Sequence, residues 1–148
     1  MNRSILWAFL FTIGLAYACG PRARSAEPER RKVVAGPPID ATLDVKIRDG
    51  IEFAFRVTNN EARRLELLFP SGQTHEIVVV DSVGREVWRW SEGRMFTQAL
   101  QSKVLESAAT LSWDAAWRAE VPPGRYVAIA SLLSENKPLE ERVEFEVR

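Results

Sequence analysis

From Leu43 onward apolar and polar residues alternate: Leu43, Val45 and Ile47, then Ile51, Phe53, Phe55 and Val57, with Asp44, Lys46, Glu52 and Arg56 between them. A period of two marks strands with one face buried and the other in water. Asp49-Gly50 separates the runs. This dipeptide tolerates the positive φ that both centres of a type I′ turn require, so the spacing predicts a tight two-residue hairpin. Asn59-Asn60-Glu61 makes the next turn, and Leu65, Leu67 and Phe69 form a third alternating run that ends at Pro70.

Beyond Pro70-Ser71-Gly72-Gln73 lies Glu76-Ile77-Val78-Val79-Val80, a β-branched run expected of a strand covered on both faces. Asp81 to Gly84 turns the chain into a strand from Arg85 to Trp90, closed by Ser91-Glu92-Gly93. Arg94 to Thr110 lacks a clear period and leaves a short strand or a helical turn equally open. Leu111 to Trp117 starts as an extended run and loses its period toward the end, Pro122-Pro123-Gly124 makes a turn, and Tyr126 to Leu133 and Arg142 to Val147 read as the last two strands. About eight short strands with no amphipathic helix predict an all-β antiparallel β-sandwich, with a barrel as the alternative. Its likeness to immunoglobulin domains is one of architecture, because the chain has a single cysteine and no cysteine pair.

The amino terminus has a different pattern. Asn2 and Arg3 precede an apolar run from Ile5 to Ala16, and Ala16-Tyr17-Ala18 gives a small-x-small ending. This is the pattern of a secretory signal peptide over residues 1–18. The run is shorter than the roughly 20 residues a membrane-spanning helix needs. Cys19 follows immediately. The arrangement resembles a bacterial lipoprotein signal, which implies lipidation of Cys19. Ala16 stands where such signals usually carry Leu, and Tyr17 where a small residue is usual, so a plain secreted or periplasmic protein with a leftover thiol is the other reading. Residues 19–38 hold four prolines and five basic residues and read as a flexible tether, leaving 39–148 as the folded domain.

Charge and chemistry narrow the function. Lys plus Arg equals Asp plus Glu at 20 each, and the signs are interspersed, so nothing predicts a phosphate-binding groove and nucleic acid is not an expected partner. One histidine and one distant cysteine cannot assemble a transition-metal site of the usual composition, so no metal or cofactor is expected. Ser71, His75 and Asp81 could be imagined as a hydrolase triad. His75 and Asp81 would lie about 20 Å apart on an extended strand, too far for an orienting hydrogen bond. The expectation is a binding domain rather than an enzyme.

The middle of the chain resembles the BsuPI family, named for an intracellular proteinase inhibitor of Bacillus. The residues that carry the likeness are Leu68 to Gln73, Val80-Asp81, Gly84 to Ser91 and Phe96 to Leu100. Weaker agreement begins at Val57-Thr58-Asn59-Asn60 and continues through Trp113 and Pro123-Gly124-Arg125-Tyr126. The resemblance implies a β-sandwich and a protease as protein partner. The founding activity is inhibition of a serine protease inside the cell, whereas this chain carries an export signal, so its target would have to differ; no family motif marks an inhibitory loop, and no reactive-site residue is carried over onto this sequence.

Two surfaces compete for the partner. An inhibitor needs a rigid exposed loop, and Pro70 to Thr74 and Ser91 to Met95 have suitable composition, making Ser71, Gly72, Gln73, Glu92, Arg94 and Phe96 candidate contacts. Trp88 and Trp90 are two residues apart and share a strand face with Glu86. Turned outward they would form an aromatic shelf for a protein or a sugar ring, the contact surface of a structural accessory lipoprotein or carbohydrate-binding module. Turned inward they are core.

Overall fold

A computed structural model describes residues 37–148, so the signal peptide, Cys19 and nearly all of the tether predicted above lie outside the described residues. The described residues form nine strands and no helix. In chain order these are β1 (Ile39–Arg48), β2 (Gly50–Asn59), β3 (Leu65–Phe69), β4 (His75–Asp81), β5 (Glu86–Arg89), β6 (Gln101–Leu105), β7 (Thr110–Trp117), β8 (Gly124–Leu132) and β9 (Leu139–Val147). Sheet β1-β2-β7 faces sheet β5-β4-β8-β9, and β3 pairs with β6 as a two-stranded ribbon. Every pairing is antiparallel.

The alternation of β1 and β2 becomes a core because both strands turn the same parity inward: Ile51, Phe53, Phe55 and Val57 are at most 1% exposed. Aromatic rings join the two sheets. Phe53 of β2 stacks on Trp88 of β5 with centroids 5.1 Å apart, and Trp117 of β7 meets Tyr126 of β8 edge-on at 6.2 Å. Ring pairs at such spacings add about 0.5–1.5 kcal/mol each beyond their buried area. The Tyr126 hydroxyl donates to the Pro122 carbonyl at 2.7 Å, fastening the turn before β8 to the strand it launches. That is the tyrosine corner found in immunoglobulin-type sandwiches.

Four expectations are refined. The first hairpin is present, but the pairing runs on to Arg48 opposite Gly50, so Asp49 alone lies between the strands rather than a two-residue turn. Asp49 does not have positive φ, so a type I′ turn is excluded. Gly50 is required for a different reason: its φ is +138°, and a Cβ there would sit 2.8 Å from the Trp117 carbonyl oxygen. The ninth strand is β6, inside the stretch whose periodicity was uninformative. β4 is fully covered on one face only: Ile77 and Val79 are buried, whereas Val78 and Val80 on the outer face are half-buried.

The fourth concerns β5. Its pairing with β4 is shifted between Val79 and Val80, where Val79 faces Trp88 and Val80 faces Glu86. Val87 is the extra residue of this bulge, which resets the alternation. Glu86 therefore leaves the face of Trp88 and joins Arg89 on the outer side, where Arg89 Nη2 meets Glu86 Oε2 at 2.6 Å.

Candidate functional site

The loops at the start of β4 and the end of β5 lie side by side at one end of the sandwich. Pro70 to Thr74 leads from the ribbon into β4, and Ser91 to Leu100 leads from β5 into β6. The Gly72 N–H donates to the Thr97 carbonyl at 2.8 Å. A Cβ on Gly72 would lie 2.6 Å from Thr97 Oγ1, so glycine permits this close approach. Ser71 is spent on its own turn, its hydroxyl accepting from the Gln73 N–H at 3.1 Å. Gln101 donates from its side-chain amide to Thr97 Oγ1 at 3.3 Å, holding the far end of the second loop to β6.

Beneath both loops sits Glu76, 7% exposed. Its Oε1 accepts from the backbone N–H of Ile77 at 3.0 Å and of Ser91 at 3.2 Å. Its Oε2 accepts from Gln73 Nε2 at 3.0 Å, from Arg89 Nη1 at 3.2 Å and from the Ser91 hydroxyl. One buried carboxylate thus ties the first loop, through Gln73, to the second, through Ser91. Ion pairing to Glu86 and Glu76 holds the Arg89 guanidinium firmly protonated, raising its pKa. A buried charge is stable only when paired and hydrogen-bonded, and Glu76 meets both conditions.

On the inner side of the same strand end, a ladder of rings supports the second loop. The His75 ring lies 4.0 Å from Trp90 and 4.9 Å from Trp113, and Trp90 meets Phe96 at 5.7 Å. Arg94 folds back over Trp90, its guanidinium carbon 4.5 Å from the ring centroid, and its Nε donates to the Trp90 carbonyl at 2.8 Å. His75 is buried, with Nε2 lacking a partner, and its pKa falls to about 4. Burial is the main cause; Glu76 opposes it, while Arg94 and Lys103 reinforce it. A neutral imidazole packed between two indoles is a structural element. His75 and Asp81 begin and end β4, and the Asp81 carboxylate is occupied by the backbone N–H groups of Val83 and Arg85 and by the Arg85 side chain.

Of the residues predicted to meet a partner, the fold therefore brings Ser71, Gly72, Gln73, Glu92, Arg94 and Phe96 to one end. Glu92 and Arg94 are exposed and Phe96 is half-buried. Trp88 and Trp90 do share a face, but it is the inner one: both pack against the core, Trp88 on Phe53 and Trp117. An outward shelf is corrected to a pair of core-facing rings, because the bulge at Val87 leaves Trp88 opposite Val79, whose side chain points into the sandwich. Glu76 escaped notice as a site residue; an acidic residue at the head of a β-branched run was the available signal. Asn59 escaped in the same way. It is wholly buried, its Nδ2 donating to the carbonyls of Arg63, Leu105 and Glu106 at 2.8, 3.0 and 3.1 Å and its Oδ1 accepting from the Glu61 N–H at 2.9 Å.

Fold and site together define an immunoglobulin-like β-sandwich domain that presents two cross-tied loops at one end. The BsuPI family model, described as intracellular proteinase inhibitor, matches residues 39–137, and the chain belongs to that family. No curated protein matches it significantly. Among solved structures, it is similar to a β-glucosidase from Kluyveromyces marxianus in complex with glucose (15% identity, TM-score 0.42), with 74% of this chain and 14% of that one covered. The structural genomics target SoR45 gives 10% identity and a TM-score of 0.41 over 74% of this chain and 84% of that one. A β-glucosidase from Erythrobacter marinus gives 17% and 0.36, over 72% and 15%. This chain thus spans about a seventh of either glucosidase.

Proposed function

We propose that the protein is an exported protease inhibitor of the bacterial cell envelope, anchored by lipid on Cys19 and contacting its protease through the loops at 70–74 and 91–98. Membership of a proteinase-inhibitor family over residues 39–137 carries this reading. The cross-tied loops support it physically: a segment already fixed by Glu76, Trp90 and Gly72 loses little conformational freedom on binding, and preorganisation of this kind favours affinity. Export separates the chain from any protease inside the cell, so its target is an envelope enzyme. The inward packing of Trp88 and Trp90 leaves the sugar-binding alternative without its aromatic platform.

The test uses the mature chain, purified with detergent from its own envelope, as bait for the remaining envelope proteins. Retention of a serine protease whose activity falls as bait is added is the expected outcome. Retention of glycans or non-proteolytic proteins, with every envelope protease unaffected, would overturn the reading. Mass spectrometry of the bait's amino-terminal peptide reads the anchor: a diacylglyceryl group on Cys19 is expected, and a free thiol contradicts it.

A further inference from the structure

Within the second loop one side chain stands apart from its neighbours. Met95 is 97% exposed, the most exposed of the large hydrophobic residues among those described. The residues on both sides of it are attached to the same ring: Arg94 by its hydrogen bond to the Trp90 carbonyl and its place over the indole, and Phe96 by packing against that indole at 5.7 Å. On the entry side the Arg94 N–H donates to the Ser91 carbonyl at 3.0 Å. On the exit side the Thr97 carbonyl accepts from Gly72 at 2.8 Å. From Arg94 to Gln98 the backbone joins no strand. The loop is therefore an apolar tip held at both flanks, on a base where Trp90 and Trp113 sandwich the buried His75.

We propose that Met95 is the residue this protein inserts into the primary specificity pocket of its target protease, and that this pocket is apolar. The inference rests on the inhibitor reading above and adds to it a contact residue and a class of protease. A protease pocket admits one side chain from an extended backbone and reads its chemistry: a hydrophobic slot takes an apolar chain, an acidic one takes Lys or Arg. Met95 is apolar, unbranched and flexible enough to fill such a slot. The neighbouring cation is unsuited to the role, because the Arg94 guanidinium is engaged with Trp90. Immobile flanks also explain how the loop resists turnover. Hydrolysis after Met95 breaks the Met95–Phe96 C–N bond and consumes one water, leaving a carboxylate on Met95 and an amine on Phe96. Both new ends remain fixed to Trp90 through Arg94 and Phe96, so the amine stays beside the acyl carbon and resealing, which returns the water, competes with release.

The experiment measures inhibition constants of the mature chain against subtilisin and chymotrypsin, which have apolar pockets, and trypsin, which has an acidic one, for the unaltered protein and for Met95→Asp, Met95→Lys and Leu100→Asp. Expected is inhibition of at least one apolar-pocket enzyme, weakened about 100-fold or more by Met95→Asp, as for a central hot-spot residue. Met95→Lys should acquire inhibition of trypsin. Leu100 is 80% exposed beyond Thr97, so Leu100→Asp controls for the mere addition of charge and should change inhibition less than about tenfold. Since Met95 makes no core contact, all variants should melt with the unaltered protein. If the unaltered chain inhibits and Met95→Asp inhibits equally well, the assignment of Met95 is overturned while the inhibitor reading stands. If the unaltered chain inhibits neither apolar-pocket enzyme, the assignment falls, and capture of an envelope protease decides the inhibitor reading separately.

Discussion

The carboxylate of Glu76 holds Ser91 at two points, accepting the Ser91 backbone N–H on Oε1 at 3.2 Å and the Ser91 hydroxyl on Oε2. Those two residues are fifteen apart in sequence, and the bond between them turns two ordinary hairpin connections into one surface. Replacing Glu76 by Ala would strand the Ser91 N–H, Gln73 and Arg89 together. We expect Glu76→Ala to lower unfolding stability by about 2 kcal/mol, the cost of leaving buried donors without an acceptor, because the Arg89 side chain, 40% exposed, can turn to water. Glu76→Gln, which retains one acceptor oxygen, should cost less. Urea denaturation checks both, and equal midpoints for Glu76→Ala and the unaltered chain would remove Glu76 from its proposed role.

Trp88 gives a prediction of opposite character. Because it stacks on Phe53 at 5.1 Å on the inner face, Trp88→Ala should act through the core, and because the ring is half-buried it should cost about 2–3 kcal/mol in stability, less than a fully buried Trp. Whatever molecules of this variant remain folded should inhibit as the unaltered chain does. Lost binding at full stability would place Trp88 in the partner surface instead.

The buried histidine makes stability depend on pH. Its folded pKa of about 4 lies below the 6.5 of an unfolded chain, so between these values the unfolded state binds the proton and the folded state does not. Above pH 6.5 both states carry a neutral imidazole and full stability is retained; stability is then progressively lost as pH falls from about 6.5 toward 4, by up to about 1.4 kcal/mol per pH unit. Glu76 faces the ring with opposite sign and Arg94 and Lys103 with like sign, so His75→Phe is the comparison needed. Denaturation midpoints measured from pH 7 to pH 4 should fall less steeply for His75→Phe. Parallel curves would show that the acid sensitivity originates elsewhere.

Much of the sandwich was legible from alternation alone, because β1, β2 and β3 bury one parity of residue and expose the other. β6 was not, and its side chains show why. Gln101 and Lys103 are half-buried while Val104 is 52% exposed, so its polar and apolar positions run against the usual sense. The bulge at Val87 was illegible for a related reason: a single inserted residue reverses the parity of everything before it, and nothing in Arg85 to Trp90 marks the insertion. The loops at 70–74 and 91–98 could each be read as turns from Gly, Pro and Ser. That they meet is a consequence of the β4–β5 pairing and of Glu76, which are long-range relationships that local pattern does not encode. Type I′ geometry was a sound inference from Asp49-Gly50, overridden by the approach of Gly50 to the Trp117 carbonyl.

In the proposed complex the end of the sandwich carrying the two tied loops is the face that meets the protease. Amide hydrogen exchange on the mature chain, alone and bound to the protease it captures, tests this most directly. Slowed exchange is expected at Gly72, Gln73 and residues 92–98, with no change at the opposite end, where the Ser82–Arg85 turn, Gly50 and the approach to β8 at Gly124 lie. Protection confined to that opposite end, with 92–98 exchanging as in the free protein, would contradict it.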